Sequence, residues 1–433
     1  MKKYDTYKDS GIQWIGQVPE HWAILPMKHC ANLFTGNSIS DKDKENYSDA
    51  SDAYPYIATK DINAQTLLAD YENGMYTKKE DASFKIATKG STLLCIEGGS
   101  AGRKKTYLTE DVSFVNKLCC FTAKDAMSGK YLYYYINSNE FVEMFNNHIT
   151  GLIGGVSLSQ LVNFKTPLPP LSEQEAIANF LDKKTGEIDQ AIALFEQEKS
   201  DLQAYRKAII SETVTKGLNP NAKLKDSGIQ WIGQIPEEWE ALKMKHISTF
   251  INGYAFNSKD FSTENGCKVI RIGEIENDIN YSCCIRANID VNLIQQYRVR
   301  ENDILIAMSG ATTGKFCIAS NIEEAYINQR VGIIRSNSYK FLYYMLQVPY
   351  FQEYISLNNA GSAQPNISSS AISDFSLPLP PLSEQEAIAN FLDKKTCDID
   401  TAIERINTQI ADLQAYRTAL ISEAVTGKID VRL

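Results

Sequence analysis

Two stretches of the chain repeat apolar side chains at heptad spacing. Leu181, Ile188, Ile192, Phe195, Leu202 and Ile209 carry the first stripe. Leu392, Ile399, Ile403, Ile406, Ile410, Leu413 and Leu420 carry the second. The other faces are rich in Glu, Lys, Gln and Asp. A stripe this narrow predicts two long helices in interhelical contact, packed as an antiparallel pair. An ordinary helical hairpin in a globular core is the alternative. Each helix opens on Pro-Pro-Leu followed by Ser172 to Glu175, repeated as Ser383 to Glu386. That reads as a capping box with the serine as N-cap. Gly186 is the exception among few helix breakers, and Cys397 takes its place in the second copy. From Ser172 to Thr215 such a helix would span about 65 Å at about 1.5 Å per residue.

The segments between these stripes read differently. Leu93–Ile96 and Leu305–Met308 are apolar runs that end in glycine-rich loops. β-Branched and aromatic runs broken by Gly and Asn predict sheet-rich α+β modules. Tyr131–Tyr134 and Phe341–Tyr344 open predicted helices, in which the tyrosines read as core rather than as base-stacking platforms.

The chain states its frame twice. Pro167–Thr185 returns unchanged as Pro378–Thr396, and Lys8–Gln17 returns unchanged as Lys225–Gln234. The stretches between share a layout but little sequence. Gly36 corresponds to Gly253, Tyr56–Ile62 to Val269–Ile275, Gly98–Lys104 to Gly310–Lys315, and Phe114–Lys117 to Tyr326–Gln329. Repeats of this size predict a pseudo-twofold scaffold holding two divergent modules. In mid-chain, Thr215–Ala222 leads straight into the second Lys-Asp-Ser-Gly block. By analogy the C-terminal segment is expected to lie back against the first.

Composition narrows the function classes. No apolar run is long enough to span a membrane, and Met1–Gly11 has no apolar core of a secretory signal. The nine cysteines make no C-x-x-C pair; Cys119–Cys120 and Cys283–Cys284 sit on strand-like segments and are expected to point to opposite faces. Structural thiols in a reducing cytoplasm follow. The net charge of −9 mildly favours a protein partner over nucleic acid, although a local basic cleft matters more than the total. The four histidines form no ligand-spaced pair, and no methyltransferase, nuclease or helicase motif is present. Ser309–Lys315 superficially evokes a phosphate-binding loop, but Phe316 stands where a magnesium-binding hydroxyl is required. The glycine loops suit either a tight turn without a ligand or close approach to a DNA backbone.

These segments together resemble the specificity subunit of type I restriction–modification systems. The resemblance rests on SGIQWIGQVPEHW and SGIQWIGQIPEEW, the doubled PLPPLSEQEAIANFLDKKT, and LQAYRKAIISETVTKG with LQAYRTALISEAVTGK. It implies an α+β chain with two target-recognition domains separated by two antiparallel helical regions, each domain reading one half of a split DNA site. The expected organisation is an N-terminal frame segment 1–19, domains at 20–166 and 237–377, and helical regions at 167–236 and 378–433. The resemblance also implies double-stranded DNA, two modification subunits and two restriction subunits as partners. S-adenosylmethionine, ATP and magnesium would belong to those partners, leaving this chain without catalysis, cofactor or metal. Candidate DNA-binding residues are Gly98, Ser100, Arg103, Lys104, Lys105, Asn116 and Lys117 in the first module. In the second they are Arg271, Thr312, Thr313, Lys315, Asn328, Gln329 and Arg330. Asn and Gln suit adenine edges, Arg and Lys guanine edges. A tandem protein-binding scaffold without DNA affinity is the alternative reading.

Overall fold

A computed structural model describes residues 2–151, 154–262, 264–276, 278–359 and 365–432. By contact the chain divides into two units, Met1–Phe195 with Asn407–Leu433, and Glu196–Ile406. Each unit joins one sheet module to the opening part of one long helix and the closing part of the other. Among the described residues no helix is long and apolar enough to cross a membrane.

In the first unit an antiparallel sheet runs in the order Ala31–Thr35, Leu118–Ala123, Thr92–Cys95, Lys105–Tyr107. Both of its faces are covered. Leu94, Cys119 and Phe121 face helices Gly129–Asn137 and Asn139–Asn147, through Tyr131, Tyr135, Phe141 and Phe145. Leu93, Cys95, Leu118 and Cys120 face a second sheet, through Ile57, Val112 and Phe114. Double burial explains why these strands are continuous apolar runs rather than alternating ones. It also sends Cys119 and Cys120 to opposite faces, as expected. In the second sheet, Ala53–Ile57 and Val112–Phe114 lie parallel.

The second unit repeats this layout. Its antiparallel sheet runs Thr249–Asn252, Val331–Arg335, Ile304–Ala307, Phe316–Ile318. The parallel pair is Cys267–Ile270 with Ala325–Ile327. Ile304, Ile306 and Ile334 face the helices, while Leu305, Ala307 and Ile333 face the other sheet. One cysteine expectation fails here. Tyr281–Cys283 forms a 3-10 turn, so Cys283 and Cys284 are not on a strand.

The long helices span Leu171–Lys216 and Leu382–Val425. Gly186 does not interrupt the first, because neighbours on both sides keep the hydrogen-bonded ladder intact at a cost of about 1 kcal/mol. The capping-box expectation is corrected. The amides of Glu173 and Gln174 bond to the Pro170 carbonyl, so the helix starts before Ser172 and the serine is already inside it. In the first unit Ile177 and Leu181 share a core with Leu420, Ile421 and Val425, and Asp189 pairs with Arg417 at 3.5 Å. In the second, Ile388 and Leu392 share a core with Ile210 and Val214, and Arg206 pairs with Asp400 at 3.1 Å. The helix segments therefore run antiparallel, and the two ion pairs are one pair repeated by the duplication. Of the predicted stripe, Leu181, Ile188, Leu392, Ile399, Ile406, Ile410 and Leu420 are buried, and the rest are half-buried. Near the end of the first helix Ile210 replaces Ile209 as the fully buried residue, because there the helix also packs on a module.

Each module is tied to the opening of its helix by the same polar set. Asp182 accepts from Tyr134 at 2.6 Å and Lys130 at 2.9 Å, and Asp393 accepts from Tyr344 at 2.8 Å and Lys340 at 2.5 Å. The frame closes on itself in the first unit. The Asp430 amide donates to the Lys2 carbonyl at 2.8 Å, and the Arg432 guanidinium lies 4.6 Å from the Tyr4 ring centre. Gly427 makes this possible: its φ is +72°, and a Cβ there would sit 2.3 Å from Pro19. Gly217 turns the chain the same way in the second unit, against Trp239 and Glu384.

Candidate nucleic-acid interface

The two parallel strands of each module end side by side, and the loops leaving them gather at that end. In the first unit Ile57 leads into a 3-10 turn, Thr59–Asp61, whose entry is capped by the Asp61 carboxylate accepting from the Ala58 amide at 2.9 Å. Lys104, at the end of the glycine loop, donates to the Thr59 carbonyl at 2.8 Å and pins the two loops together. The Ile96 amide bonds to the Lys117 carbonyl, bringing in the reversal at Val115–Lys117. The Asn37 amide bonds to the Phe114 carbonyl, and Gly36 lies so close to that carbonyl that a Cβ would overlap it. The Gly98 amide bonds to Gly154, which adds the loop after the second module helix.

Most of the residues singled out from the sequence meet here. Arg103, Asn116 and Lys117 are exposed, while Gly98, Ser100 and Lys104 are half-buried. Arg103 is folded back onto the Gly99 carbonyl. Lys105 is a correction. It is buried, its ammonium donates to the Ile136 carbonyl at 3.0 Å, and burial pushes its pKa down to about 8. Alternation along the strand turns it away from Lys104 and into the helix layer. Lys60, at the exposed apex of the 3-10 turn, was missed, although it stands within the aligned segment.

The second unit builds the same cluster from other side chains. The 3-10 turn is Ile272–Glu274, and Glu274 accepts from the Arg271 amide at 2.7 Å and pairs with its guanidinium at 2.6 Å. Arg271 is thus partly committed to holding its own turn. The amides of Asn328 and Gln329 bond to Ile270 and Tyr254, and the Met308 amide bonds to Arg330. The Thr313 hydroxyl donates inward to the Gly310 carbonyl at 2.7 Å, and the Thr312 hydroxyl is buried without a hydrogen-bond partner among the described residues. Lys315, Gln329 and Arg330 are exposed. An open groove of about 590 Å³ runs between Glu276, Thr313, Lys315 and Gln352. Gln352 comes from helix Pro349–Asn358, and no local sequence signal marks it.

Chemically the clusters offer cations and amides to an anion, and mixed donors and acceptors to a flat polar edge. Among the described residues no group of three His, Cys, Asp or Glu is placed to hold a metal ion.

Residues 19–202 and 236–412 match the family model for the type I restriction modification DNA specificity domain. The type I restriction enzyme MjaVIII specificity subunit of Methanocaldococcus jannaschii is 28% identical over 433 residues, covering 96% of this chain and 95% of that one. The EcoBI specificity subunit of Escherichia coli is 22% identical, covering 97% and 89%. Among solved structures, a chain from a study of complex assembly and conformational transition in the type I R-M system superposes with a TM-score of 0.75 at 16% identity, covering 95% of this chain and 99% of that one. The HsdS subunit from Thermoanaerobacter tengcongensis gives 0.57 at 16% identity, covering 95% and 98%.

Proposed function

The chain belongs to the type I restriction–modification DNA specificity family, and from that premise we propose that each module reads one half of a bipartite DNA site through its loop cluster. As a DNA specificity subunit it is a non-catalytic component of its complex. One observation carries the finer reading. Four of these loops gather at the same end of both copies of one scaffold, and at several positions they present different side chains. Lys104 matches Lys315 and Asn116 matches Asn328, but one cluster carries Lys60, Arg103 and Lys117 and the other Gly273, Gln329 and Arg330. A shared scaffold keeps the approach to the backbone constant while the side chains change the bases selected. Local cations answer the unfavourable net charge of −9, since phosphate neutralisation depends on the charges at the contact.

On this reading the helical regions set the distance between half-sites and dock two modification subunits. Two restriction subunits complete the complex, and S-adenosylmethionine, ATP and magnesium act in the partners. The frame supports paired docking. Tyr205 and Tyr416 hold equivalent positions and are 51% and 48% exposed, and Leu171 and Leu382 are likewise both exposed. Exposed aromatic and apolar residues repeated in both copies are what two identical partners would grip.

A mobility-shift titration with and without the modification subunit tests the DNA reading. The complex is expected to bind specific duplex, and Lys104→Ala with Lys117→Ala should lower affinity for all sequences and flatten the salt dependence by about two charges. Unchanged affinity and salt slope in that double variant would remove the loop cluster from the interface.

A further inference from the structure

We propose that the hairpin after the 3-10 turn sets base choice in each module, and that Glu276 makes the second module select a base bearing an exocyclic amino group. This rests on the DNA reading of the loop clusters and names the residue that discriminates within one of them.

The hairpin is where the two scaffolds agree at the base and differ at the tip. Both leave a carboxylate-capped 3-10 turn, and both are closed by a bridge, Ile62 with Ala69 and Ile275 with Ile279. The first tip is the longer, and it is held rigid. The Asn63 carboxamide accepts from the amides of Gln65 at 2.8 Å and Thr66 at 3.1 Å, and the Asn63 amide and carbonyl bond to Leu68 and Leu67. Leu67 is held at φ +58°, a left-handed conformation that a leucine keeps only when its surroundings dictate it. The result is a neutral tip with Leu68 67% exposed.

The second tip is shorter in sequence, and its described residues, Glu276 and Asp278, are both acidic. Asp278 is used structurally, accepting from the Ile279 amide and the Ser320 hydroxyl. Glu276 is not. It lines the groove with Lys315 and Gln352, and among the described residues its carboxylate makes no ion pair or hydrogen bond. A carboxylate at a DNA surface is repelled by phosphate and only accepts hydrogen bonds. The groups it can accept from in the major groove are base amines, with cytosine N4 the best fit. Lys315 in the same groove offsets the added negative charge, and Gln352, donating to the Gly314 carbonyl at 3.3 Å, closes the far side.

The test uses the assembled modification complex and methylome mapping. Glu276→Gln keeps the size of the side chain but adds donors. It is expected to relax one position of the second half-site by about 10- to 100-fold, leaving the first half-site unchanged. Lys315→Ala in parallel reports the DNA reading itself, as lost affinity at unchanged sequence. If Glu276→Gln leaves every position as selective as before while Lys315→Ala weakens binding, the proposal is wrong and the interface stands. If neither variant alters binding or sequence, both fall. Should the Glu276→Gln complex not methylate, selection of bound duplexes from a pool randomised in the second half-site gives the same readout.

Discussion

Lys105 shows how far one side chain departs from its composition. It occupies the ladder position that Phe316 holds in the second module, opposite Leu94 where Phe316 faces Ile306. Phe316 packs edge-on against Tyr343 and Phe351; Lys105 instead buries its stem and bonds to a helix-end carbonyl. Its pKa of about 8 lies below the ordinary lysine value of 10.5. Between those values the unfolded chain binds more protons, so this residue costs about 3 kcal/mol below pH 8, and that cost is relieved as pH rises to 10.5. Lys105→Met is therefore expected to stabilise the first unit by ~1–2 kcal/mol at pH 7, after loss of one hydrogen bond. The gain should vanish towards pH 10.5, as read by denaturant unfolding of both proteins across that range. Glu173 is the converse case. It accepts from Trp22 at 3.0 Å and Tyr4 at 3.2 Å, and it meets His21 at 2.7 Å and Arg432 at 3.4 Å. Glu384 serves Trp239 alone at 2.9 Å among the described residues. Glu173→Ala should cost ~3 kcal/mol and Glu384→Ala ~1–2 kcal/mol. Hydrogen exchange should show the segment after Val425 opening only in the former.

At the scale of elements, the long helices carry a register that the ion pairs make countable. Asp189 faces Arg417 and Arg206 faces Asp400. Four residues added near Lys199 alone would leave one of these pairs out of step. Four added near Lys199 and four near Thr408 would keep both, hold the apolar stripe nearly in phase and lengthen each helix by about 6 Å. That length equals about two base pairs at about 3.4 Å each. The doubly extended complex is expected to methylate the same half-sites with a spacer longer by one or two base pairs, and the single insertion to do so with weaker assembly. Methylation mapping of both variants decides it; an active variant with an unchanged spacer means the helices are not the ruler.

For the whole molecule, the frame and the modules separate cleanly in sequence but not in packing. Asp182 and Asp393 stand in the identical frame, yet they bind Lys130 with Tyr134 and Lys340 with Tyr344 from the divergent modules. A module transplanted as Glu20–Lys165 from another family member should work only if it brings that Lys–Tyr pair. It is then expected to change one half of the methylated sequence and leave the other intact. A change in both halves together would mean that the modules do not read independently.

Duplication, helix periodicity and turn glycines are local or repeating signals, so the α+β frame, the paired long helices and the return of the C-terminal segment towards the N-terminal frame were legible in the chain itself, while Lys2 and Tyr4 as its partners were not. Arg103, Lys104, Lys117 and Lys315 could be named from the sequence as candidates, because aligning the two modules places their loops in a shared layout. The tertiary structure decided which of them reach solvent. Strand alternation buries Lys105 one residue from Lys104, and backbone demand turns the Thr313 hydroxyl inward. A helix far along the chain brings Gln352 to the groove beside Glu276. Burial and long-range approach depend on what packs opposite a residue, and periodicity carries no record of that partner.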